Sequence, residues 1–367
     1  MSEPTGGAID GVLIVGGGYA GVHAAAAVRK AGRRATIVDP TGRHDFVTRL
    51  AAVAGGTAPA ADAATPLDEF GASVIVGTMT SADDGSITLD DGRTMTADAV
   101  VITAGAIPVS PPIDGLEHAF RLRTESDAHA LRAAIADADS LVVIGGGATG
   151  VQLAGSAAHR FPNLAVTLVD GSDRLLTAMG GPTSRDAERI LRQRGVDLIL
   201  GEDVESIEVG GVIVGDRRIA GVAVWAAGFT ARADTFGIPC DDQGRVLVDD
   251  DLRVTGWTST FAAGDIAAHS DRRGGELPMS AQIAVQAGAG AGANAARLLD
   301  GEPLRRVDLG HRGWVLDLGG YRGLAELGPI ALTAPLFDLV PPLLHWGIDV
   351  KHLAETRGVA GLTGRSA

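Results

Sequence analysis

The sequence predicts an α/β fold in which one strand–turn–helix unit occurs twice, on three observations. An apolar strand, Val12-Leu13-Ile14-Val15, runs into Gly16-Gly17-Gly18-Tyr19-Ala20-Gly21 and an Ala-rich helix. The pattern returns at Leu141-Val142-Val143-Ile144 with Gly145-Gly146-Gly147-Ala148-Thr149-Gly150. Each unit is followed about 20 residues on by a strand ending in an acid, the spacing of a dinucleotide fingerprint. Those strands are Thr36-Ile37-Val38-Asp39 and Val166-Thr167-Leu168-Val169-Asp170. In such a fingerprint the first Gly makes the tight turn and the second admits a pyrophosphate. The third packs helix on strand, and the acid accepts a ribose hydroxyl. Gly16, Gly18, Gly21 and Asp39, and Gly145, Gly147, Gly150 and Asp170, are thus expected to hold two dinucleotides on helix N-termini. The plain alternative is a purely structural turn. Two such units in one chain suggest two dinucleotides face to face, one passing electrons to the other. Asp170 repels a 2′-phosphate and favours NAD over NADP. Arg174 either softens that preference or faces solvent.

The elements follow in order. Residues 11–39 read as strand, helix, strand. Residues 73–80 and 86–89 alternate like antiparallel strands around the turn Asp83-Asp84-Gly85. After Asp90-Asp91-Gly92 comes the apolar strand Ala99 to Gly105, then a linker with Pro108, Pro111 and Pro112. A second strand–helix series runs from Leu141 to Gly228. Thr260-Phe261-Ala262-Ala263-Gly264-Asp265 reads as a strand ending in Gly-Asp, and a long helix spans about Met279 to Leu299. The expected partition is 8–117 and 241–303 for the first dinucleotide domain. The second, 118–240, is inserted into it, and 304–367 is a Gly- and Pro-rich C-terminal segment.

Composition narrows the function. The 367 residues are 46% hydrophobic and 21% charged, as in a globular protein. The net charge of −14 argues against nucleic acid, which demands a basic footprint. The last 67 residues carry 7 acids against 7 Arg or Lys, so the acidic excess lies in residues 1–300. One cysteine, Cys240, excludes a disulfide framework and a Cys-pair relay within this chain and suggests a cytoplasmic location. Cys240 is expected to be a small buried apolar residue. The nine histidines show no metal-ligand spacing, so no metal is expected. No run reads as a transmembrane helix or a signal peptide.

Here the chain resembles the FAD- and NAD-linked reductases of the two-dinucleotide fold, and most of all the type II NADH dehydrogenases, which pass electrons from NADH to quinone. Val101 to Pro108, with Thr103, Ala104 and Gly105, resembles the turn beside the flavin. Val224-Trp225-Ala226-Ala227-Gly228 resembles the turn closing the NAD domain. Phe261 to Asp265 resembles the motif whose Asp holds the flavin ribityl chain. Ala281-Gln282-Ile283-Ala284-Val285-Gln286 resembles the A-Q-x-A-x-Q helix start beside the flavin ring and quinone pocket. His44-Asp45-Phe46 through Gly56 is similar to a looser family stretch, in which Arg49 is unusual. The resemblance implies FAD in the first domain and NAD(H) in the second. It adds Tyr19, Ala20, Arg49, Met79, Thr149, Gly264 and Ala281 to the cofactor-binding residues. Arg49 either contacts a phosphate or the acceptor, or faces solvent.

Three amides are the candidate catalytic groups. Gln282 and Gln286 share one helix face and can bond a flavin or quinone oxygen; the bland reading is an ordinary polar face. Gln152 stands where the family commonly has Glu. An amide positions a ring but carries no proton. Protonation of a reduced quinone must then use water or another group. In the tail, Leu343, Trp346, Val350 and Leu353 fall on one helical face between Pro341-Pro342 and Gly358. That face suits an interfacial helix on the inner side of the cell membrane, or one packed on the core or on a second copy of the chain. Two other readings stay open. One is a soluble reductase serving an iron–sulfur protein through Arg305, Arg306 and Arg312. The other is a slow FAD- and NAD-binding redox sensor.

Overall fold

The computed structural model describes residues 7–328, 330–332 and 351–357. β1 (Gly7–Val15) passes through the first glycine turn into α1 (Tyr19–Lys30) and β2 (Ala35–Asp39). β3 (Ser73–Val76) lies parallel to β2. β4 (Met79–Asp83) and β5 (Ser86–Leu89) form an antiparallel hairpin beside β6 (Thr94–Ile102). β6 returns parallel to β1, giving the order β3-β2-β1-β6-β5-β4. Central strands have neighbours on both edges and cover on both faces, so they read as unbroken apolar runs. Val12, Leu13 and Ile14, and Val100, Val101 and Ile102, are fully buried.

Residues 73–80 are not one strand of a hairpin. Gly77 breaks the run, its N–H bonding to the carbonyl of Asp39. Val74 and Ile75 extend the parallel sheet, and only Met79 onward pairs with β5.

The second unit begins with α2 (Glu125–Ala136), which a Thr124 and Asp127 capping box starts. β7 (Ser140–Ile144), α3 (Ala148–Arg160), β8 (Ala165–Asp170), α4 (Gly181–Gln193), β9 (Asp197–Leu200) and β10 (Val222–Trp225) follow. They make a parallel sheet ordered β9-β8-β7-β10. Three short antiparallel strands, Ser206–Glu208, Gly211–Val214 and Arg217–Ala220, interrupt it between β9 and β10. The chain then returns to the first sheet. β11 (Thr260–Ala262) pairs with the end of β6, and α5 (Ala281–Leu299) follows. The tail is more ordered than its Gly and Pro content suggests. β12 (Trp314–Asp317), β13 (Gly323–Leu327) and β14 (Ile330–Leu332) form an antiparallel sheet.

Residues 351–357 are helical, and Leu353 packs into the core with Val22, Ile283 and Leu309. That residue therefore faces the protein, because burying it beside α1 and α5 removes its side chain from water. Leu343, Trp346, Val350 and Gly358 lie outside the described residues. Cys240 is half-buried rather than buried, because the loop that carries it is flanked by Asp241 and Asp242 at the surface. Burial and the nearby carboxylates of Asp234, Asp241 and Asp242 push its thiol pKa up.

Two glycines on α5 set the distance between α1 and α5. A Cβ at Gly288 would stand 2.1 Å from the carbonyl oxygen of Ala20, and one at Gly292 would stand 2.3 Å from that of Ala24. Backbone oxygens cannot retreat as side chains do, so any larger residue must push the helices apart. Gly288→Ala is expected to lower stability by about 1–3 kcal/mol, the usual cost of overpacking. Urea unfolding checks this; an unchanged midpoint would mean that the helices part freely.

Candidate functional site

Each glycine fingerprint uses its three positions differently. A Cβ on Gly16 (φ +98°) would meet the Thr103 carbonyl at 2.4 Å, and one on Gly21 would meet the Gly16 carbonyl at 1.9 Å. Gly18, the N-cap of α1, has nothing within 4 Å of its Cβ position. The second turn repeats this. Gly145 (φ +114°) abuts the Ala226–Ala227 backbone, Gly150 abuts the Gly145 carbonyl, and Gly147 faces open space. The first and third glycines thus close the strand–helix packing. The second leaves room before a row of free helix N–H groups, which suits a pyrophosphate.

The acids brace these turns. Asp39 Oδ2 accepts from Gly17 N at 2.9 Å, and Oδ1 accepts from Thr41 N, Thr41 Oγ1 and Gly42 N. Asp170 accepts from Gly146 N and from Ser172 N. A carboxylate has about four acceptor positions, so Asp170, with two filled, keeps capacity for a ribose hydroxyl, whereas Asp39, with four filled, would have to share or exchange one of its turn contacts to accept one. Arg174 neither faces Asp170 nor floats in solvent. It donates to the carbonyls of Leu176, Thr177 and Met179.

The remaining predicted residues divide by position. Thr103 Oγ1 donates to the carbonyls of Val15 (2.7 Å) and Gly16 (2.9 Å), locking the first turn. The Met79 side chain is buried in the core beneath the first sheet. Arg49 pairs with Asp62 at 2.8 Å. Ala104 is exposed, and Gly105 (φ +72°) faces Arg123. Ala227 and Gly228 follow the end of β10, and Gly228 has φ +86°. A Cβ on Gly264 would stand 2.9 Å from that of Ala20.

A cavity of about 1340 Å³ joins the two units. Tyr19 from α1, Ala148 and Thr149 from α3, and Ala281 and Gln282 from α5 all line it. The first residues of three helices therefore open into one space, where their dipoles favour negative charge. Asp265 lies on the wall beside Arg123, the nearest N–O distance being 3.7 Å. Burial pushes the Asp265 carboxyl pKa up, and the Arg123 charge opposes that. Arg123 also covers the Phe229 ring at 5.2 Å. Neither was legible as a site residue, although Arg123 directly precedes the Thr124 capping box.

The three amides all meet the backbone of one strap, residues 310–317. Gln286 Nε2 donates to the Gly310 carbonyl (3.1 Å) and the Gln282 carbonyl (3.0 Å), and its Oε1 accepts from Gly310 N (3.3 Å). Gln282 Oε1 accepts from Arg312 N at 2.5 Å. Gln152 Oε1 accepts from Asp317 N at 3.2 Å. Gln286 is thus a clamp, engaged at both ends. Gln152 and Gln282 use their oxygens on the strap and keep N–H groups for a ligand in the cavity.

Three histidines far apart in sequence also meet here. His44 Nδ1 donates to the Gly17 carbonyl at 2.8 Å. Its Nε2 then accepts from His352 Nε2 at 3.2 Å, and His352 Nδ1 accepts from His23 Nε2 at 2.9 Å. The carbonyl fixes the first tautomer, and each ring fixes the next. All three are buried. Burial, with the repulsion of neighbouring imidazoles and of Arg357 or Lys351, lowers the pKa of His23 and His44 to about 4 and depresses that of His352 as well. The chain ties residues 351–357 to the first glycine turn.

Two glycine turns with open second positions, braced acids and a shared cavity define a two-dinucleotide oxidoreductase. The family model described as pyridine nucleotide-disulphide oxidoreductase matches residues 10–288, and the chain belongs to that family. It is an FAD-dependent enzyme with NADH as electron donor. A type II NADH:quinone oxidoreductase of Staphylococcus aureus is 26% identical, over 95% of this chain and 96% of that protein. An NADH dehydrogenase-like protein of Mycobacterium tuberculosis is 30% identical, over 84% of this chain and 85% of that one. NDH2 from Plasmodium falciparum, solved with NADH, shares the fold with a TM-score of 0.81 at 14% identity, over 95% and 96% of the two chains.

The histidine chain has a pH consequence. Its folded pKa values lie below the unfolded 6.5, so between them the unfolded chain binds more protons and stability rises with pH. The contribution is fully present above pH 6.5 and is lost as pH falls from there toward about 4. The protection factors of the amides of residues 351–357, which allow for the base catalysis of intrinsic exchange, are expected to be lower at about pH 5 than at about pH 7.5. His352→Leu should abolish that difference. Equal protection at both pH values in the unsubstituted protein would remove the histidine latch.

Proposed function

We propose that this protein is an NADH dehydrogenase of the type II kind, passing hydride from NADH to FAD and electrons onward to a quinone. The observation that carries the reading is the single cavity, which runs from the α1 and α3 helix starts to the Gln282 wall. In it the start of α3 would hold the nicotinamide dinucleotide and the start of α1 the flavin dinucleotide, opening both into the one space that hydride transfer requires. FAD, when bound, supplies the two-electron link between nicotinamide and acceptor.

The chain's own residues do the rest. The N–H groups after Gly18 and Gly147 hold the two pyrophosphates. Asp39 and Asp170 take ribose hydroxyls. Asp265, with Arg123 beside it, takes the ribityl chain. The free amide N–H groups of Gln152 and Gln282 orient ring and acceptor oxygens. Within these 367 residues Cys240 has no cysteine partner, which supports direct passage of electrons from the flavin site to a small acceptor. The α1 and α5 face of the cavity is lined by Ala26, Ala27, Ala289 and Ala293, an apolar path suited to a quinone.

Two of the three arginines offered to an iron–sulfur protein are engaged elsewhere, which supports the small-acceptor reading over that alternative. Arg306 pairs with Asp250 and Asp308, while Arg312 lines the cavity. A slow redox sensor remains as the contrasting reading, and turnover separates the two. No helix among the described residues is long and apolar enough to cross a membrane. Leu343, Trp346 and Val350, the rest of the face proposed for contact with the inner membrane side, lie outside the described residues.

Anaerobic NADH is expected to bleach the flavin, and a menaquinone analogue should restore it within the turnover time. Bleaching without reoxidation by the quinone would sink the quinone reading and favour a protein acceptor or the sensor. Asp170→Ala is expected to lower kcat/KM for NADH by about tenfold, the loss of about 1.4 kcal/mol of binding, and to raise the NADPH to NADH preference. An unchanged preference would mean that Asp170 does not contact the ribose.

A further inference from the structure

The candidate catalytic amides leave the reaction short of a proton. Reducing a quinone to hydroquinone takes two electrons and two protons. NADH supplies a hydride, which is both electrons and one proton. The second proton needs a titratable group, and neither Gln152 nor Gln282 can provide it.

The cavity wall holds few groups able to do so. His23 and His352 are committed to each other and to His44. Asp265 stands against Arg123. Lys30, Arg297, Asp300 and Glu302 come from or just beyond the C-terminal ends of α1 and α5, at the far end from the α5 start that carries Gln282. Lys351 and Glu355 pair with each other at 3.6 Å, and the Tyr19 hydroxyl bonds Thr48 Oγ1 at 2.9 Å. His311 differs from all of these. It lines the cavity and is half-buried, and its ring has no hydrogen-bond partner among the described residues. Both its chain neighbours are tied down. Gly310 is held by both ends of the Gln286 amide, and Arg312 N bonds Gln282 Oε1. The ring rests against Trp314, centroids 4.7 Å apart at 53°. The strap then runs to Asp317, bonded to Gln152. His311 is therefore a free imidazole on a backbone that three glutamines hold in place.

We propose that His311 is the acid that delivers the second proton to the reduced acceptor. This rests on the quinone reading given above. One quinone oxygen takes the hydrogen that comes with the electrons from NADH. The other takes the proton from the His311 imidazolium, and the imidazole regains a proton from water. The Gln282 and Gln286 pair then positions the acid, and Gln152 anchors the other end of its strap.

The charged groups around His311 set the direction of its pH response. Burial lowers its pKa from 6.5, and the Glu326 carboxylate on β13 opposes this. Glu326 itself accepts from Gly180 N and Thr183 Oγ1 on the α4 side. Arg312 is the adjacent charge on the strap, and the facing residues of α5, Gln282 and Gln286, are neutral. Quinone-dependent turnover should therefore fall as pH rises through a value below 6.5.

The test compares two acceptors in the holoenzyme. A menaquinone analogue takes electrons and protons, whereas ferricyanide takes electrons alone. His311→Gln is expected to slow quinone reduction by about 10²-fold, the lower end for a positioned acid, and to leave ferricyanide reduction unchanged. His311→Gly should regain quinone turnover with added imidazole. An independent readout needs no turnover. In histidine-labelled oxidised enzyme, the NMR signal that His311→Gln deletes should titrate below pH 6.5 and shift when the quinone analogue is added without NADH. An unchanged quinone rate in His311→Gln overturns the proposal, as does equal slowing with ferricyanide or a signal indifferent to quinone. If the unsubstituted enzyme reduces ferricyanide but no quinone, the quinone reading itself fails, and this proposal falls with it.

Discussion

The close crossing of α1 and α5 is the constraint on which the site depends. Gly288 and Gly292 bring the two backbones together against Ala20 and Ala24. α1 carries the first glycine turn at its start, and α5 carries Ala281, Gln282 and Gln286 at its own. Fixing one helix on the other therefore fixes the first glycine turn relative to the amides at the start of α5. Ser280 Oγ caps α5 by accepting from Ile283 N, so the helix start is defined and its N–H groups point into the cavity. Small residues here do what larger ones cannot, because the contacts are with backbone oxygens.

From α5 the ordering passes outward through hydrogen bonds. Gln286 and Gln282 hold Gly310 and Arg312, and Gln152 holds Asp317. One strap therefore bridges the helix of the first sheet and a helix of the second. Glu326 adds a second tie, from β13 to the start of α4. Arg194 adds a third, donating to the carbonyls of Gly155, Leu318 and Gly319. The C-terminal sheet thus belongs to the site, since it closes the cavity that both dinucleotide units open into. A polar group buried in such a network loses its water contacts, so removing one partner costs more than the bond it made.

The histidine chain performs a similar task at the other end of the cavity. Neutral imidazoles alternate donor and acceptor, so three of them can be buried in line without a charge. That line runs from the Gly17 carbonyl to α1 by way of residue 352. The same carbonyl belongs to the turn whose N–H bonds Asp39. Seating residues 351–357 and shaping the first turn are therefore coupled.

Local chemistry made the two fingerprints legible. A glycine that must take a positive φ, or lie against a carbonyl, shows in the sequence because no other residue fits, and Gly16, Gly21, Gly145 and Gly150 all do so. The strands around them were readable because burial on both faces leaves only apolar runs. The division of residues 73–80 was not, since a parallel edge strand and a hairpin strand share the same alternation and Gly77 alone separates them. The partners of the amides were also hidden: Gln152 meets Asp317 across 165 residues, and His23 meets His352 across 329. No periodicity records such pairs. The sequence by itself pointed to two dinucleotides and to the glycines and acids expected to receive them, because those demands are steric and local. The tertiary structure decided which polar groups brace the fold and which stay free for chemistry, because hydrogen-bond partners are chosen in space.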